Sequence, residues 1–106
     1  MAYLSYDQRE HFAERFNAIK DEHESRNFSE IAKPRSSRKD LHALLLLAEL
    51  DAGSTKAIIC AAEHDIIYVG VDLASFVDTI TDEQLIELAI CGMMFDDDGD
   101  GFSMYV

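Results

Sequence analysis

Closely spaced carboxylates near the C-terminus are the residues whose types and spacing most clearly suggest chemistry. Residues 96–101 are Asp-Asp-Asp-Gly-Asp-Gly, so Asp96, Asp98 and Asp100 alternate along the chain. Alternating carboxylates can supply oxygen ligands to calcium, and a glycine among them allows the sharp turn that wraps a loop around the ion. The spacing therefore predicts a calcium site whose ligands are Asp96, Asp98 and Asp100.

This segment resembles part of an EF-hand. The D-x-D-x-D-G pattern matches the start of the calcium loop, and the residues from Thr81 to Phe95 look like the entering helix of a calmodulin-type hand. The resemblance covers residues 80–101. It departs from the family pattern at Ser103, where the loop normally carries an aliphatic residue, and the sequence ends at Val106, before the position of the bidentate glutamate. These departures favour an acid-rich turn and no cofactor, and weak calcium binding by a truncated EF-hand-like loop is the alternative.

The histidines and cysteines show no spacing typical of a catalytic or zinc site. No H-E-x-x-H, nucleophile-elbow or phosphate-loop pattern is present. His42 lies among leucines, which favours a hydrogen-bonded core histidine, whereas His64 lies between two acids in a predicted turn. Cys60 and Cys91 have apolar neighbours, so we expect both thiols to be buried, free and weakly acidic. The sequence predicts a protein that is not an enzyme, and a ligand site at His64 or a cysteine is the least favoured hypothesis.

Negative charge is the strongest feature of the composition. The 106 residues include 21 acids and 9 lysines and arginines, which gives a net charge of −12 at pH 7. A field of this sign repels phosphate backbones and anionic lipid headgroups, so direct binding to nucleic acid or membranes is disfavoured. It attracts cations and the basic surfaces of other proteins.

The charge is also unevenly distributed. Residues 1–39 contain eight bases and seven acids and have a net charge of +1, whereas residues 40–106 contain fourteen acids and only Lys56, for a net charge of −13. The basic segment 33–39 reads as a connector loop that either stays solvated or folds back on the chain's own acids. Acidity that merely keeps the protein in solution is the alternative to a binding role.

Hydrophobic periodicity predicts the elements that must position these groups, in a single α+β domain over residues 1–106. A capping box at Ser5 begins an amphipathic helix over about residues 6–25, and a second helix over 38–51 is apolar on nearly every face, with Ser37 at its start. Two β-rich runs joined by a three-residue loop, 63–65, predict a hairpin. Two further helices, begun by Asp72 and Thr81, and a C-terminal strand over 102–106 complete the fold.

These observations favour a small acidic interaction or inhibitor protein that binds a basic, nucleic-acid-handling protein such as a nuclease. Carboxylates would mimic the phosphates of the natural ligand. In composition alone the chain looks like phage counter-defence proteins and like immunity proteins against nuclease toxins. The sequence shows no secretory signal or membrane span, which predicts a cytoplasmic protein. We also expect a monomer or a homodimer, because a chain this short buries only a limited share of its surface. The predicted partner contacts are Glu63, Asp65, Asp72, Asp78, Asp82, Glu83, Glu87, Asp96, Asp97, Asp98 and Asp100.

Overall fold

The computed structural model describes residues 4–96 and 101–105 of the chain. It confirms the predicted α+β fold, which combines helices with an antiparallel sheet. The helices are α1 (Tyr6–His23), α2 (Lys39–Leu50) and α3 (Asp82–Ile90), and the strands are β1 (Ile59–Glu63), β2 (Ile66–Val69), β3 (Met94–Asp96) and β4 (Gly101–Tyr105). Short 3₁₀ turns at Phe28–Glu30 and Leu73–Ser75 connect these elements.

The predicted capping boxes begin α1 and α3. At α1 the Ser5 hydroxyl accepts from the Gln8 N–H at 3.1 Å, and the Gln8 side chain accepts from the Ser5 N–H at 2.9 Å. Thr81 and Gln84 make the same reciprocal pair at α3. Each box satisfies two backbone donors that the first helical turn would otherwise leave without partners. Local sequence therefore fixes where both helices begin.

The start and the burial of α2 differ from the prediction. Arg38 occupies the N-cap position and provides no side-chain cap, whereas Ser37 had been expected there. A helix that is apolar on nearly every face is expected to be buried inside the fold or against a partner, and the single chain covers this one only in part. Ala43, Leu46 and Leu47 are buried, but Leu41 and Leu45 remain 42% and 38% exposed. Leu41 and Leu45 lie one turn apart on the helix, so together they present an apolar stripe to solvent.

The predicted hairpin forms, with a two-residue turn instead of a three-residue loop. Glu63 pairs with Ile66, and His64 and Asp65 between them both have positive φ, at 51° and 64°. This backbone matches the twist of a type I′ hairpin, and histidine and aspartate adopt it more readily than most residues. The register of the ladder shifts between Ile59 and Ala61, which makes Cys60 the extra residue of a β-bulge in β1.

The helix predicted to begin at Asp72 is reduced to a single 3₁₀ turn. Its backbone is held by Asp51, a mostly buried carboxylate that accepts from the Asp72 N–H and from the Ser75 hydroxyl, both at 3.1 Å. Leu73 and Phe76 are nevertheless buried as predicted. The apolar residues of this segment therefore reach the core without a regular helix.

A strand that the periodicity had assigned to a helix completes the sheet. Met94, Phe95 and Asp96 form β3, which pairs with β4 and gives the strand order β1-β2-β4-β3. The C-terminal strand is therefore central in the sheet, which explains why Phe102, Ser103 and Met104 are all buried. The rings of Phe95 and Phe102 pack edge-to-face with their centroids 5.0 Å apart. The ring centroid of Phe12 in α1 lies 5.0 Å from that of Phe95 and 6.0 Å from that of Phe102. These aromatic contacts fix α1 on the β3–β4 side of the sheet.

Candidate functional site

His42 lies at the centre of a buried polar network and is held there by hydrogen bonds. Its side chain is fully buried; the Arg35 N–H donates to Nδ1 at 2.9 Å, and Nε2 lies 2.8 Å from a Glu87 carboxylate oxygen. Because Nδ1 accepts a hydrogen bond, the ring proton is on Nε2, which donates to Glu87. The interpretation of His42 as a hydrogen-bonded core histidine is confirmed, and Glu87 is its partner.

The basic connector folds back on the acidic half of the chain. The Arg35 guanidinium forms an ion pair with Glu49 of α2, and this contact lowers the pKa of the Glu49 carboxyl below its usual value. Lys33 and Arg35 also line a groove of about 360 Å³ together with Glu83 of α3. The connector therefore contributes its positive charge to neighbouring carboxylates of the same chain.

Two of the predicted partner contacts are engaged within the fold. The Arg15 guanidinium lies 2.7 Å from an Asp82 oxygen and also donates to the Ile80 carbonyl at 3.1 Å, which ties α1 to the start of α3. Glu87 is hydrogen-bonded to His42 and only 28% of its side chain is exposed. Asp82 and Glu87 therefore contribute to the packing of the helices, although the Asp82 side chain remains 72% exposed.

Two further predicted contacts, Glu63 and Asp65, lie at the exposed β1–β2 turn. The His64 side chain between them is 87% exposed, and its Nε2 lies 3.4 Å from a Glu63 oxygen. Among residues 4–96 and 101–105, only Glu63 lies within ion-pair distance of the ring, whereas an imidazole-based catalytic site requires a further group that orients it. The turn presents two carboxylates to solvent without arranging them for catalysis.

The other end of the sheet carries Asp72, Asp96 and Gly101. Val69 pairs with Phe102, so Asp72 follows β2 at the end of the sheet where Asp96 pairs with Gly101. Tyr105 pairs with Ile66 at the opposite end, next to the hairpin turn. The structure therefore separates the predicted contacts at 63–65 from those at 72 and 96 and does not bring them together.

Two predicted contacts line grooves: Glu83 lies in the groove beside Lys33 and Arg35, and Asp78 lies in another groove. Asp78 lines a groove of about 450 Å³ with Asp7, His11 and Phe12 of α1. Arg15 lines the same groove, although its guanidinium is paired with Asp82. The groove thus combines two carboxylates with an apolar wall.

The EF-hand-like segment has a different context from the one predicted. The entering helix ends at Ile90, and Phe95 lies in β3, so the residues before the Asp/Gly run form a strand rather than a helix. Residues 97–100 lie outside the described residues, and the predicted calcium ligands Asp98 and Asp100 are among them. Within residues 4–96 and 101–105, no group of three or more potential metal ligands converges. Calcium binding stays a prediction from the sequence.

The two cysteines have opposite environments, although both were expected to be buried. Cys60 is exposed in the β1 bulge, where its Sγ lies 3.4 Å from the Tyr68 carbonyl oxygen, and Cys91 is buried. Burial raises the pKa of the Cys91 thiol to about 11, and the nearby Glu87 carboxylate adds to this effect. Both thiols are free, but only Cys60 is accessible to reagents.

Sequence reasoning missed two exposed apolar surfaces. One is the α2 stripe at Leu41 and Leu45; the other is β1, an edge strand whose five residues are all exposed. The all-apolar pattern of α2 predicted burial inside the fold or against a partner, but not which face remains open in the single chain. The exposure of β1 could not be inferred because it depends on the strand order of the sheet.

Comparisons of the chain with protein-family models, with curated proteins and with solved structures found no match. In the described part of the chain, no helix has the length and apolar character that crossing a membrane demands.

Proposed function

We propose that this protein is a non-enzymatic acidic inhibitor that binds a basic protein surface built to handle nucleic acid. The observation that carries the proposal is the charge at one end of the sheet. Asp72 and Asp96 lie there, Asp97, Asp98 and Asp100 follow Asp96 directly in the chain, and Lys56 is the only base in the sequence after residue 39. We call Asp72 and residues 96–100 the acidic end.

Contacts within the fold support this choice, because they show which carboxylates are already bound and which remain available to a partner. Asp82 and Glu87 are bound to Arg15 and His42, and Glu49 is bound to Arg35. The exposed Asp72 carboxylate takes part in no ion pair among the described residues; its backbone N–H is what Asp51 holds. The Asp72 carboxylate therefore keeps a charge that no ion pair among the described residues neutralises.

Carboxylates in this density can occupy the positions of phosphates on a nucleic-acid-binding surface. Opposite fields would speed the encounter, and bound protein would block the groove against its natural ligand. Counter-defence proteins of phages and immunity proteins against nuclease toxins act on such partners, and the proposal places this chain in that functional class. It includes a cytoplasmic location, which the two free cysteines support because thiols persist in reducing compartments.

The test is affinity capture from a lysate of the native host, followed by competition with nucleic acid. The immobilised protein is expected to retain a basic nucleic-acid-binding protein, and double-stranded DNA or RNA added in excess is expected to release it. Binding should weaken at least tenfold between about 50 and 300 mM salt, because screening removes the electrostatic attraction.

Matched charge variants locate the surface. The triple variant Asp97→Asn, Asp98→Asn, Asp100→Asn should lose most of the captured protein. The control variant Glu14→Gln, Asp21→Asn, Glu22→Gln removes the same charge from exposed positions on α1 and should retain it. Equal retention by both variants, or capture that nucleic acid and salt leave unchanged, would refute the proposal.

A further inference from the structure

Strand β1 forms an open edge of the sheet. It pairs with β2 on one side and has no strand neighbour on the other side among the described residues. All five residues from Ile59 to Glu63 are exposed, and the Ile59 side chain is 45% exposed. An open edge presents backbone N–H and C=O groups to any strand that can align with it.

The charge pattern around this edge is self-complementary. Residues 57–62 form an uncharged run in a chain whose net charge is −12, and the run is bounded by Lys56 at one end and Glu63 at the other. Lys56 forms no ion pair among the described residues, and Glu63 has only the exposed His64 beside it. Lys56 lies in a bend three residues before β1 begins. If β1 aligns antiparallel with a copy of itself, Lys56 comes to the end of the pairing where Glu63 of the other copy lies.

We infer that β1 is a dimer interface and that its occupant is β1 of a second copy of this chain. A two-fold axis perpendicular to the sheet pairs the strands antiparallel, as every pairing within the sheet already is. The two sheets then continue into one across an edge that carries the Cys60 bulge, and the uncharged side chains of residues 57–62 meet without bringing like charges together. This inference does not rest on the proposed function, because it uses a different part of the surface.

The test compares charge-reversal variants alone and mixed, by sedimentation equilibrium over a concentration series. The unmodified chain is expected to reach twice its mass of 11.9 kDa. Lys56→Glu alone, and Glu63→Lys alone, should each raise the dimer dissociation constant about tenfold, because each places like charges at both ends of the interface. An equimolar mixture of the two variants should regain the original affinity, because the mixed dimer has opposite charges at both ends.

Controls separate this interface from general charge effects and from other surfaces. Lys33→Glu and Glu14→Lys change the net charge equally at exposed sites away from β1 and should not show rescue on mixing. Circular dichroism confirms that each variant keeps its fold. A monomer at every concentration and salt would overturn the inference. A dimer that ignores both β1 variants but dissociates with Leu45→Glu would also overturn it, since the α2 stripe would then be the interface.

Discussion

At the residue scale, the two thiols differ by environment rather than by sequence context. Cys60 is exposed in a bulge, whereas burial and Glu87 raise the pKa of Cys91 to about 11. At pH 8 we expect a disulfide reagent such as Ellman's to modify one thiol per chain in the native state and the second only in denaturant. Because the thiolate is the reactive form, Cys91 is protected by both its burial and its pKa. Cys60→Ser should abolish the fast reaction, and a fast reaction that survives this change would contradict the assignment.

His42 gives a second prediction at the residue scale. Its ring satisfies the Arg35 N–H and the Glu87 carboxylate in a fully buried position. His42→Leu fills similar volume but leaves both groups without a partner, so we expect the free energy of unfolding to fall by about 2–4 kcal/mol in urea titrations. Glu87→Gln keeps an oxygen acceptor for Nε2–H and serves as the matched control, with an expected loss below about 1 kcal/mol. Equal losses in both variants would show that the bond depends on charge, not on this tautomer.

At the element scale, α2 lacks the side-chain N-cap that α1 and α3 have. Arg38 at its N-cap has extended backbone angles, φ −99° and ψ 120°, but offers no acceptor to the first turn. Arg38→Asp would supply one and place negative charge at the positive end of the helix dipole. We expect the free energy of unfolding to rise by about 0.5–1.5 kcal/mol, measured by urea or thermal denaturation. Ser37→Asp, one residue earlier, is the control and should have little effect.

The β1–β2 turn gives another prediction at this scale. His64 and Asp65 both occupy left-handed backbone conformations that Asn-Gly adopts more readily. The double variant His64→Asn, Asp65→Gly should stabilise the hairpin by about 0.5–1 kcal/mol in thermal denaturation. His64→Val should destabilise it, because a β-branched residue is strained at positive φ. A stabilising valine would show that the turn has a different backbone.

Elements whose signals are local were predictable from the sequence, and elements set by distant contacts were not. The capping boxes at Ser5 and Thr81 and the alternating hairpin strands are encoded within a few residues. Strand β3 was missed because Met94 continues the helical apolar stripe. The helix stops earlier because Gly92 has φ 87° and the Met93 N–H donates to the Leu88 carbonyl, a Schellman ending that the glycine could have signalled.

The candidate site was also predictable only in part. The net negative charge and its uneven distribution could be counted in the sequence. Which carboxylates are bound by other residues of the fold could not be predicted. Asp82 is paired with Arg15 and Glu87 accepts a hydrogen bond from His42, residues that are 67 and 45 positions away in the chain. Contacts at such separations depend on how helices pack, which no local pattern specifies. The structure therefore reduces the number of carboxylates that are available to a partner and adds none.

At the scale of the whole molecule, the available acids face two directions. The hairpin turn lies at the Tyr105 end of β4 and Asp96 pairs at its Gly101 end, about 13 Å away along the strand at roughly 3.3 Å per residue. A partner docked at the acidic end leaves the hairpin turn in solvent, where its charge is screened.

We therefore expect Glu63→Gln with Asp65→Asn to leave the affinity for the captured partner within about twofold, since distant rim charges contribute little. Asp72→Asn with Asp97→Asn should instead weaken binding by about tenfold or more and flatten the dependence of log Kd on log salt, because fewer counterions are exchanged. Titration calorimetry at several salt concentrations measures both quantities. The reverse pattern would move the partner site to the hairpin, beside the β1 edge, and dimerisation and partner binding would then compete for one surface.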